Sequence, residues 1–344
     1  PRLLPMTIPA ISVVMPVRNG EAFLREAIDS VLGEPLADLE LVVVDDGSTD
    51  STPSILAGYA SRDSRLRVHR EQGDNLAIAL NRGFRLCRAP LLARLDADDL
   101  CVRGRLQEQV EFMAGHPEVV LLGGQAVLVN EKGEEFATAR YPLEDRELRD
   151  ALRTGNPFVH SAVAISRRAF EAVGGYRENL PHAEDLDLWL RLSEQGKLAN
   201  LPGPVVKYRI HGRQLSLRKQ EDQAVHAEAV RISARARAAG RPDPLDGATR
   251  IDQDFLVAEG VDPAEVTRAV VDSATWLART TDRAGYPEAA AQLFATAYER
   301  ARSDSGSPAL TASVHRSIAG RHAEQGHRLR AKLKSAQARL AERR

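Results

Sequence analysis

The stretch LELVVVDDGSTD, residues 39–50, decides the architecture. Leu39, Leu41, Val42, Val43 and Val44 make a nearly continuous apolar, β-branched run, the pattern of a strand buried on both faces of a parallel sheet. Asp45 and Asp46 end the run, and Ser48, Thr49 and Asp50 supply capping side chains for a following helix. Upstream, Ile11 to Met15 is a second such run, stopped at Pro16. After the loop from Val17 to Gly20, residues Phe23, Leu24, Ala27, Ile28, Val31 and Leu32 fall at helical spacing. Downstream, Leu66 to Arg70 reads as a third strand and Leu76 to Cys87 as a helix. Leu91 to Leu95 is a fourth strand that runs into Asp96, Asp98 and Asp99. Strands alternating with helices, with polar residues collected at the strands' C-terminal ends, predict an α/β fold with a mostly parallel sheet and a ligand cleft along that edge.

Composition narrows what the cleft serves. The chain has 344 residues, enough for about two domains. With 43% hydrophobic and 28% charged residues it is neither a disordered chain nor a fibre. Its 47 Lys and Arg nearly balance 48 Asp and Glu, so no general attraction to nucleic acid or an anionic membrane is expected. Cys87 and Cys101 are too few for a disulfide framework or a Cys-rich zinc site. No apolar run approaches the ~18–20 residues of a membrane span, and Pro1 to Ala10 lacks a signal-peptide layout. The protein therefore reads as cytoplasmic, with peripheral membrane contact left open. Neither G-x-G-x-x-G nor a Walker loop follows the first strand, so the sheet binds something other than a dinucleotide or a P-loop nucleotide.

From about Gln220 the β-branched runs stop, and helices are expected over 223–239, 263–284, 287–303 and 310–343. The stretch from Trp276 to Ala301 resembles one tetratricopeptide hairpin, with a generic helical bundle as the alternative. From Arg316 to Arg344 nine Lys or Arg stand against two Glu, either a solvated helix or a basic docking surface for anionic lipid.

Three acidic clusters carry the chemistry: Asp45-Asp46, Asp96-x-Asp98-Asp99, and Glu184-Asp185 followed by Asp187. Each could be a helix cap or a solvated turn. The fold, however, brings the first two to one sheet edge, where carboxylates repel unless a cation lies between them. An oxygen-only site favours Mg²⁺ or Mn²⁺ shared with a diphosphate.

The order of segments then becomes informative. ISVVMPVRNGEAFLREAIDSVL, LELVVVDDGSTDST, LDADD followed by Arg105-Leu106, VGGYRENLPHAEDLDLWLRL and YRIHGRQLS closely resemble the family-2 glycosyltransferases, over roughly residues 10–217. The resemblance implies a glycosyltransferase-A domain over 10–217, with 218–344 as a helical accessory region. It also implies a nucleotide-sugar donor, UDP-linked by family habit, a divalent metal, and inversion at the anomeric carbon. Carried over by motif, Pro16, Val17 and Asn19 border the nucleotide; Asp46 receives the base, and Asp45 is its neighbour at the turn. Asp96 meets ribose or metal-bound water, while Asp98 and Asp99 are the metal contacts, with His211 able to join them. Asp185 is the general base and Glu184 its partner; a helix cap is the other reading of that pair. Arg209 and Arg213 flank His211 and could face the leaving diphosphate, or form surface ion pairs. His160 is placed on the acceptor side. The Gln-x-x-Arg-Trp motif of processive members is absent, and Val102-Arg103-Gly104 stands where relatives often carry proline.

Two other readings compete. A sugar nucleotidyltransferase would want a Gly-rich, basic loop after the first strand, which PVRNGEAF does not supply. A catalytically silent scaffold would have no chemical need for Asp98, Asp99 and Asp185 together. The acceptor could be a carbohydrate, a lipid-linked sugar or a protein side chain.

Overall fold

The computed structural model describes residues 8–73, 75–212, 219–303 and 310–314. Arg213 and the basic segment from Arg316 onward lie outside the described residues. The chain divides into two compact units: one of residues up to Leu128 together with Ala137–Arg209, the other of Val129–Phe136 with the residues from Ile210 onward.

The first unit begins with the expected alternation: β1 (Ile11–Val17), α1 (Leu24–Leu32), β2 (Leu39–Asp46), α2 (Thr52–Ala60), β3 (Leu66–Glu71), α3 (Leu76–Leu86) and β4 (Leu91–Arg94). These strands pair in parallel, with Val17 opposite Asp45, Asp46 opposite Glu71 and Val14 opposite Arg94. Their C-terminal ends therefore open on one edge, and all seven β1 residues are buried. Leu24, Ala27, Ile28 and Val31 of α1 join the same core. Across the sheet α3 meets β1 and β2 at Gly83, where a Cβ would stand 2.5 Å from a Val14 methyl and 3.0 Å from one of Val44. That close approach explains a glycine inside a helix, where it ordinarily costs about 1 kcal/mol relative to alanine.

The rest of the unit adds β5 (Leu100–Cys101), α4 (Arg105–Gly115), β6 (Val119–Val129), β7 (Glu135–Ala139), α5 (Asp145–Leu152) and a 3₁₀ turn (His160–Ala162). Then follow β8 (Ala164–Ser166), α6 (Arg167–Ala172), α7 (Glu184–Ser193) and β9 (Lys197–Arg209). The nine-stranded sheet runs β3-β2-β1-β4-β8-β6-β9-β5, with β7 on β6. Beyond β4 the mixed half sets in, since β8 is antiparallel to both β4 and β6, and β5 to β9. Glu34, 6% exposed, ties α1's end to α4 by accepting the Gly104 and Leu106 N–H groups at 2.8 and 2.9 Å, which caps α4 from a distant segment.

The second unit holds α8 (Gln220–Ala238), α9 (Gln253–Ala258), α10 (Pro263–Arg283) and α11 (Pro287–Ser303). Asp252 and Asp262 cap α9 and α10, and Pro263 stands at α10's first turn. α10 and α11 share a core of Val271, Ala274, Ala278, Phe294 and Ala297, whereas Trp276, at the start of the expected hairpin, is exposed. Among the described residues no helix is long and apolar enough to cross a membrane.

Candidate functional site

At the sheet's C-terminal edge the loops after β1 and β2 are clasped by reciprocal hydrogen bonds. Asn19 adopts a left-handed conformation (φ 54°), which asparagine tolerates better than most residues. Its N–H donates to Ser48 Oγ at 2.9 Å, and its Oδ1 accepts the Thr49 N–H at 2.8 Å. Gly20 N–H donates to Thr52 Oγ1, and Glu21 and Asp50 exchange bonds with the backbone across the same gap. Pro16 and Val17 lie buried beneath the clasp. Asp45, 1% exposed, accepts the Ser48 N–H at 3.0 Å and so shapes the turn, while Asp46 ends β2 beside it. Gly47 (φ 74°) lets this turn approach Gly73, whose nitrogen a Cβ at residue 47 would meet at 3.3 Å.

After β4 the chain places Asp96, Asp98 and Asp99 with ligand oxygens all within 4.8 Å of one another. Asp99, 1% exposed, accepts the Arg209 N–H at 2.8 Å through Oδ1, whereas its buried Oδ2 has no hydrogen-bond partner. Burial, then the charges of Asp98 and Asp96, push its carboxyl well above the usual carboxylate range. Burial also raises Asp96, against the pull of Arg94, whose guanidinium grips both Asp96 oxygens. Ser161 Oγ donates to Asp96 Oδ2 and accepts its N–H, each at 2.9 Å. Beneath the loop, buried Arg105 donates to the carbonyls of Ser161, Arg94 and Val163. An all-oxygen trio with an orphaned buried oxygen fits a hard divalent cation, which would neutralise the crowding.

Arg209, the last residue of β9, is 1% exposed. Its Nε donates to the Asp98 carbonyl at 2.8 Å, its Nη2 reaches Glu26 at 2.7 Å, and its guanidinium lies 4.6 Å from the Phe23 ring centroid. These bonds brace the acidic loop. His211 is buried just past β9, in the second unit, and is not a member of the acidic trio.

Glu184 and Asp185 form the first turn of α7, where the helix dipole favours carboxylates, and Ala183 enters it with φ 57°. Asp185 Oδ1 accepts the Leu186 N–H and Oδ2 accepts Asn156 Nδ2, both at 2.7 Å. Burial, then the charge of Asp185, push Glu184 up to about 8, so the pair as a unit favours keeping a proton at neutral pH. Burial raises Asp185 as well, while the bonds from Leu186 and Asn156 and the charge of Arg94 oppose the rise. His160 Nδ1 lies 3.8 Å from Glu184, and its Nε2 is 2.8 Å from the Tyr176 hydroxyl. Burial and the charge of Arg94 hold this imidazole well below its usual pKa, hence neutral. Asp187, fully buried, pairs with Arg191 and Arg177, and it is a structural member of its cluster. Arg94 thus acts on both groups, bonded to Asp96 and within electrostatic reach of Glu184 and Asp185. Sequence reading missed Arg94, Asn156 and Ser161, and named Arg105 in its motif without a role; the one visible signal for Arg94 was a charge interrupting the apolar run LLARL.

The Glycosyl transferase family 2 model matches residues 12–174. The amylovoran biosynthesis glycosyltransferase AmsE of Erwinia amylovora is 33% identical over 188 residues, which cover 54% of this chain and 70% of the relative. Among solved structures, the mannosyltransferase PcManGT from Pyrobaculum calidifontis in complex with GDP-Man and Mn²⁺ matches with a TM-score of 0.54 at 19% identity, covering 97% of this chain and 87% of that one. TarS of S. aureus in complex with UDP-GlcNAc matches with a TM-score of 0.52 at 15% identity, covering 95% and 89%. The fold is that of the glycosyltransferase-A enzymes, extended by C-terminal helices. From a third of residues shared across more than two thirds of a relative, this chain belongs to glycosyl transferase family 2 and is a glycosyltransferase.

Proposed function

We propose that the enzyme moves one sugar at a time, with inversion, from a nucleoside-diphosphate sugar, a UDP-sugar, to an acceptor hydroxyl in surface polysaccharide or glycoconjugate synthesis. The observation that carries this reading is the pairing, around buried Arg94, of an oxygen-only trio with one orphaned acceptor and an acidic pair whose members differ in proton affinity. Asp98 and Asp99 would hold a divalent ion, Mg²⁺ or Mn²⁺; bound there, the ion would neutralise charge on the leaving diphosphate. Asp46 would receive the base, with Pro16, Val17, Asn19 and Asp45 forming its border, and Asp96 would face the ribose. Arg209 would serve by holding the Asp98 carbonyl and the Asp99 carboxylate in place, and Arg213, outside the described residues, is assigned to binding the diphosphate by motif alone. Asp185 takes the acceptor's proton as the new bond forms opposite the diphosphate. Glu184, protonated, and neutral His160 line the acceptor side. The helical region after residue 217 would act as an accessory unit, with its basic end meeting a membrane surface or a lipid-linked acceptor. The lack of the processive motif supports single transfers, and the surface-polysaccharide role rests on the relative's name.

The test is a thermal-shift screen of UDP-, GDP- and dTDP-sugars with and without Mn²⁺, since a ligand that binds the folded state raises its apparent stability. A rise with a UDP-sugar that requires Mn²⁺ is expected. No shift with any nucleotide sugar in the presence of Mn²⁺ would sink the donor reading, and a shift indifferent to Mn²⁺ would sink the metal role.

A further inference from the structure

Asn156 lies in the loop between α5 and the 3₁₀ turn, where its immediate sequence gives no sign of function. In the fold, its Nδ2 donates to Asp185 Oδ2 at 2.7 Å, while Leu186 N–H donates to Oδ1 at 2.7 Å. Each carboxylate oxygen thus has one donor, from its own helix on one side and from a segment 29 residues earlier on the other. Two donors on opposite oxygens fix the plane of the carboxylate and still leave a lone pair on each oxygen for an incoming hydroxyl.

The donor is itself firmly mounted. Asn156 Oδ1 accepts the Phe158 N–H at 3.2 Å, and Asn200 Nδ2 donates to the Pro157 carbonyl at 3.1 Å. Phe158, 3% exposed, packs its ring 6.0 Å from that of Trp189, which lies one helical turn beyond Asp185 on α7. Gly123 makes the approach feasible, because a Cβ there would strike Asn200 Oδ1 and stand 2.7 Å from the Phe158 ring. The charged and titratable groups facing Asp185 are Glu184 on its own helix, Arg94 from β4 and Tyr176 from the segment after α6, with His160 turned toward Glu184.

We propose that Asn156 is a positioning residue for the transfer reaction: its amide sets the plane of the Asp185 carboxylate and favours the ionised form, so that the acceptor hydroxyl meets an unprotonated oxygen. The inference rests on the reading of Asp185 as general base. In the step itself the hydroxyl oxygen bonds to the anomeric carbon, the bond to the diphosphate oxygen breaks, and the hydroxyl proton passes to Asp185. Asn156 stays neutral throughout and transfers no proton.

The experiment uses the full chain and the variants Asn156→Ala, Asn156→Asp and Asp185→Asn. The first readout is a carbon-13 carboxyl titration of aspartate-labelled protein, with the Asp185 signal identified by its loss in Asp185→Asn. The second is the pH profile, with kcat and KM, for hydrolysis of the UDP-sugar that gives the largest thermal shift. Loss of the amide donor in Asn156→Ala should move both the Asp185 midpoint and the acidic limb of kcat upward by roughly 0.5–1 pH unit. Turnover should fall roughly tenfold to a hundredfold with donor KM changed less than about twofold. Asn156→Asp keeps the size but replaces the donor with a charge, and it should move the midpoint further in the same direction; it carries the test alone if the alanine variant fails to fold. A midpoint that stays put in these variants overturns the proposal even if turnover falls. An Asp185→Asn enzyme that turns over like the wild type overturns the base reading. An inactive Asp185→Asn together with an unmoved midpoint overturns the Asn156 assignment alone.

Discussion

The two ends of the sheet treat a buried carboxylate in opposite ways. At the N-terminal end Glu40, fully buried on β2, accepts Ser12 Oγ at 2.6 Å, Arg88 Nε at 2.8 Å, the Arg88 N–H and Arg67 Nη1. Burial alone would raise its pKa, but the bonds from Ser12 and Arg88, with the Arg88 charge, hold it below the usual range. At the C-terminal end Asp99 is as deeply buried, yet one of its oxygens has no donor and its carboxyl is pushed well up. A buried carboxylate supplied with donors on both oxygens ties strands together and needs nothing more. One left short of a donor carries a desolvation cost that a bound cation would relieve, and in this chain that cost falls at the acidic edge of the sheet.

The largest expected effect separates the two ends by activity. Asp185→Asn should lower turnover by about 10²–10⁴ while leaving the nucleotide-induced thermal shift in place. Glu40→Gln, by contrast, should leave turnover per folded molecule unchanged. Calorimetry showing that donor binding vanishes with turnover in Asp185→Asn would break the base assignment. Next, Asp98→Ala should abolish the Mn²⁺-dependent part of nucleotide binding, and a binding isotherm identical with and without Mn²⁺ in both proteins would refute the metal reading.

A smaller effect tests the contrast directly in stability. Glu40→Gln strands donors from Ser12 and Arg88 and should cost about 2 kcal/mol in denaturant unfolding. Asp99→Asn removes an under-supplied buried charge and should leave the metal-free protein as stable as before, or more stable by about 1 kcal/mol. If Asp99→Asn instead destabilised the metal-free protein as much as Glu40→Gln, the orphaned oxygen would not be the liability described above.

The same contrast explains what was legible in the sequence. β1, β2 and β4 are mainly apolar runs, interrupted only at Ser12, Glu40 and Arg94 before their ends lead into polar residues, so the parallel half and its acidic edge could be read directly. β5 and β8 are two and three residues long. β9 carries Pro202, Gly203 and Pro204, which read as a turn. In β6, Gly123 and Gly124 look like a break, yet they are where Asn200, Phe158 and Val205 press on the strand, with a Cβ on Gly124 only 2.7 Å from Val205. At the site the carboxylates were visible because their chemistry is local. Their supporting contacts were not, because they reach far along the chain: Arg209, read as a residue facing the diphosphate, meets Asp99 across 110 residues, Ser161 meets Asp96 across 65, and Asn156 meets Asp185 across 29. A pattern of neighbours in sequence carries no record of such pairings.

The last test is a pH dependence whose sign differs between the two ends. The Glu40 pKa is depressed in the folded state, so its contribution is present above the unfolded value of about 4.5 and is lost as pH falls through the folded one. The Glu184 pKa is raised, to about 8. The folded state therefore binds a proton that the unfolded state has released, and stability declines as pH rises from about 4.5 to about 8, then levels off. Glu184→Gln keeps the side chain neutral at every pH and should lessen that decline, to which the raised Asp96, Asp99 and Asp185 carboxyls also contribute, while leaving the loss at low pH intact. Glu40→Gln should do the reverse, lessening the acid limb, to which the depressed Asp50, Asp63 and Asp145 also contribute, and preserving the fall toward pH 8. Chemical denaturation of the three proteins between pH 4 and pH 9 measures both limbs. If Glu184→Gln left the alkaline decline unchanged, the proton would not reside on Glu184, and the division of the acidic pair into a neutral member and an ionised base would have to be abandoned.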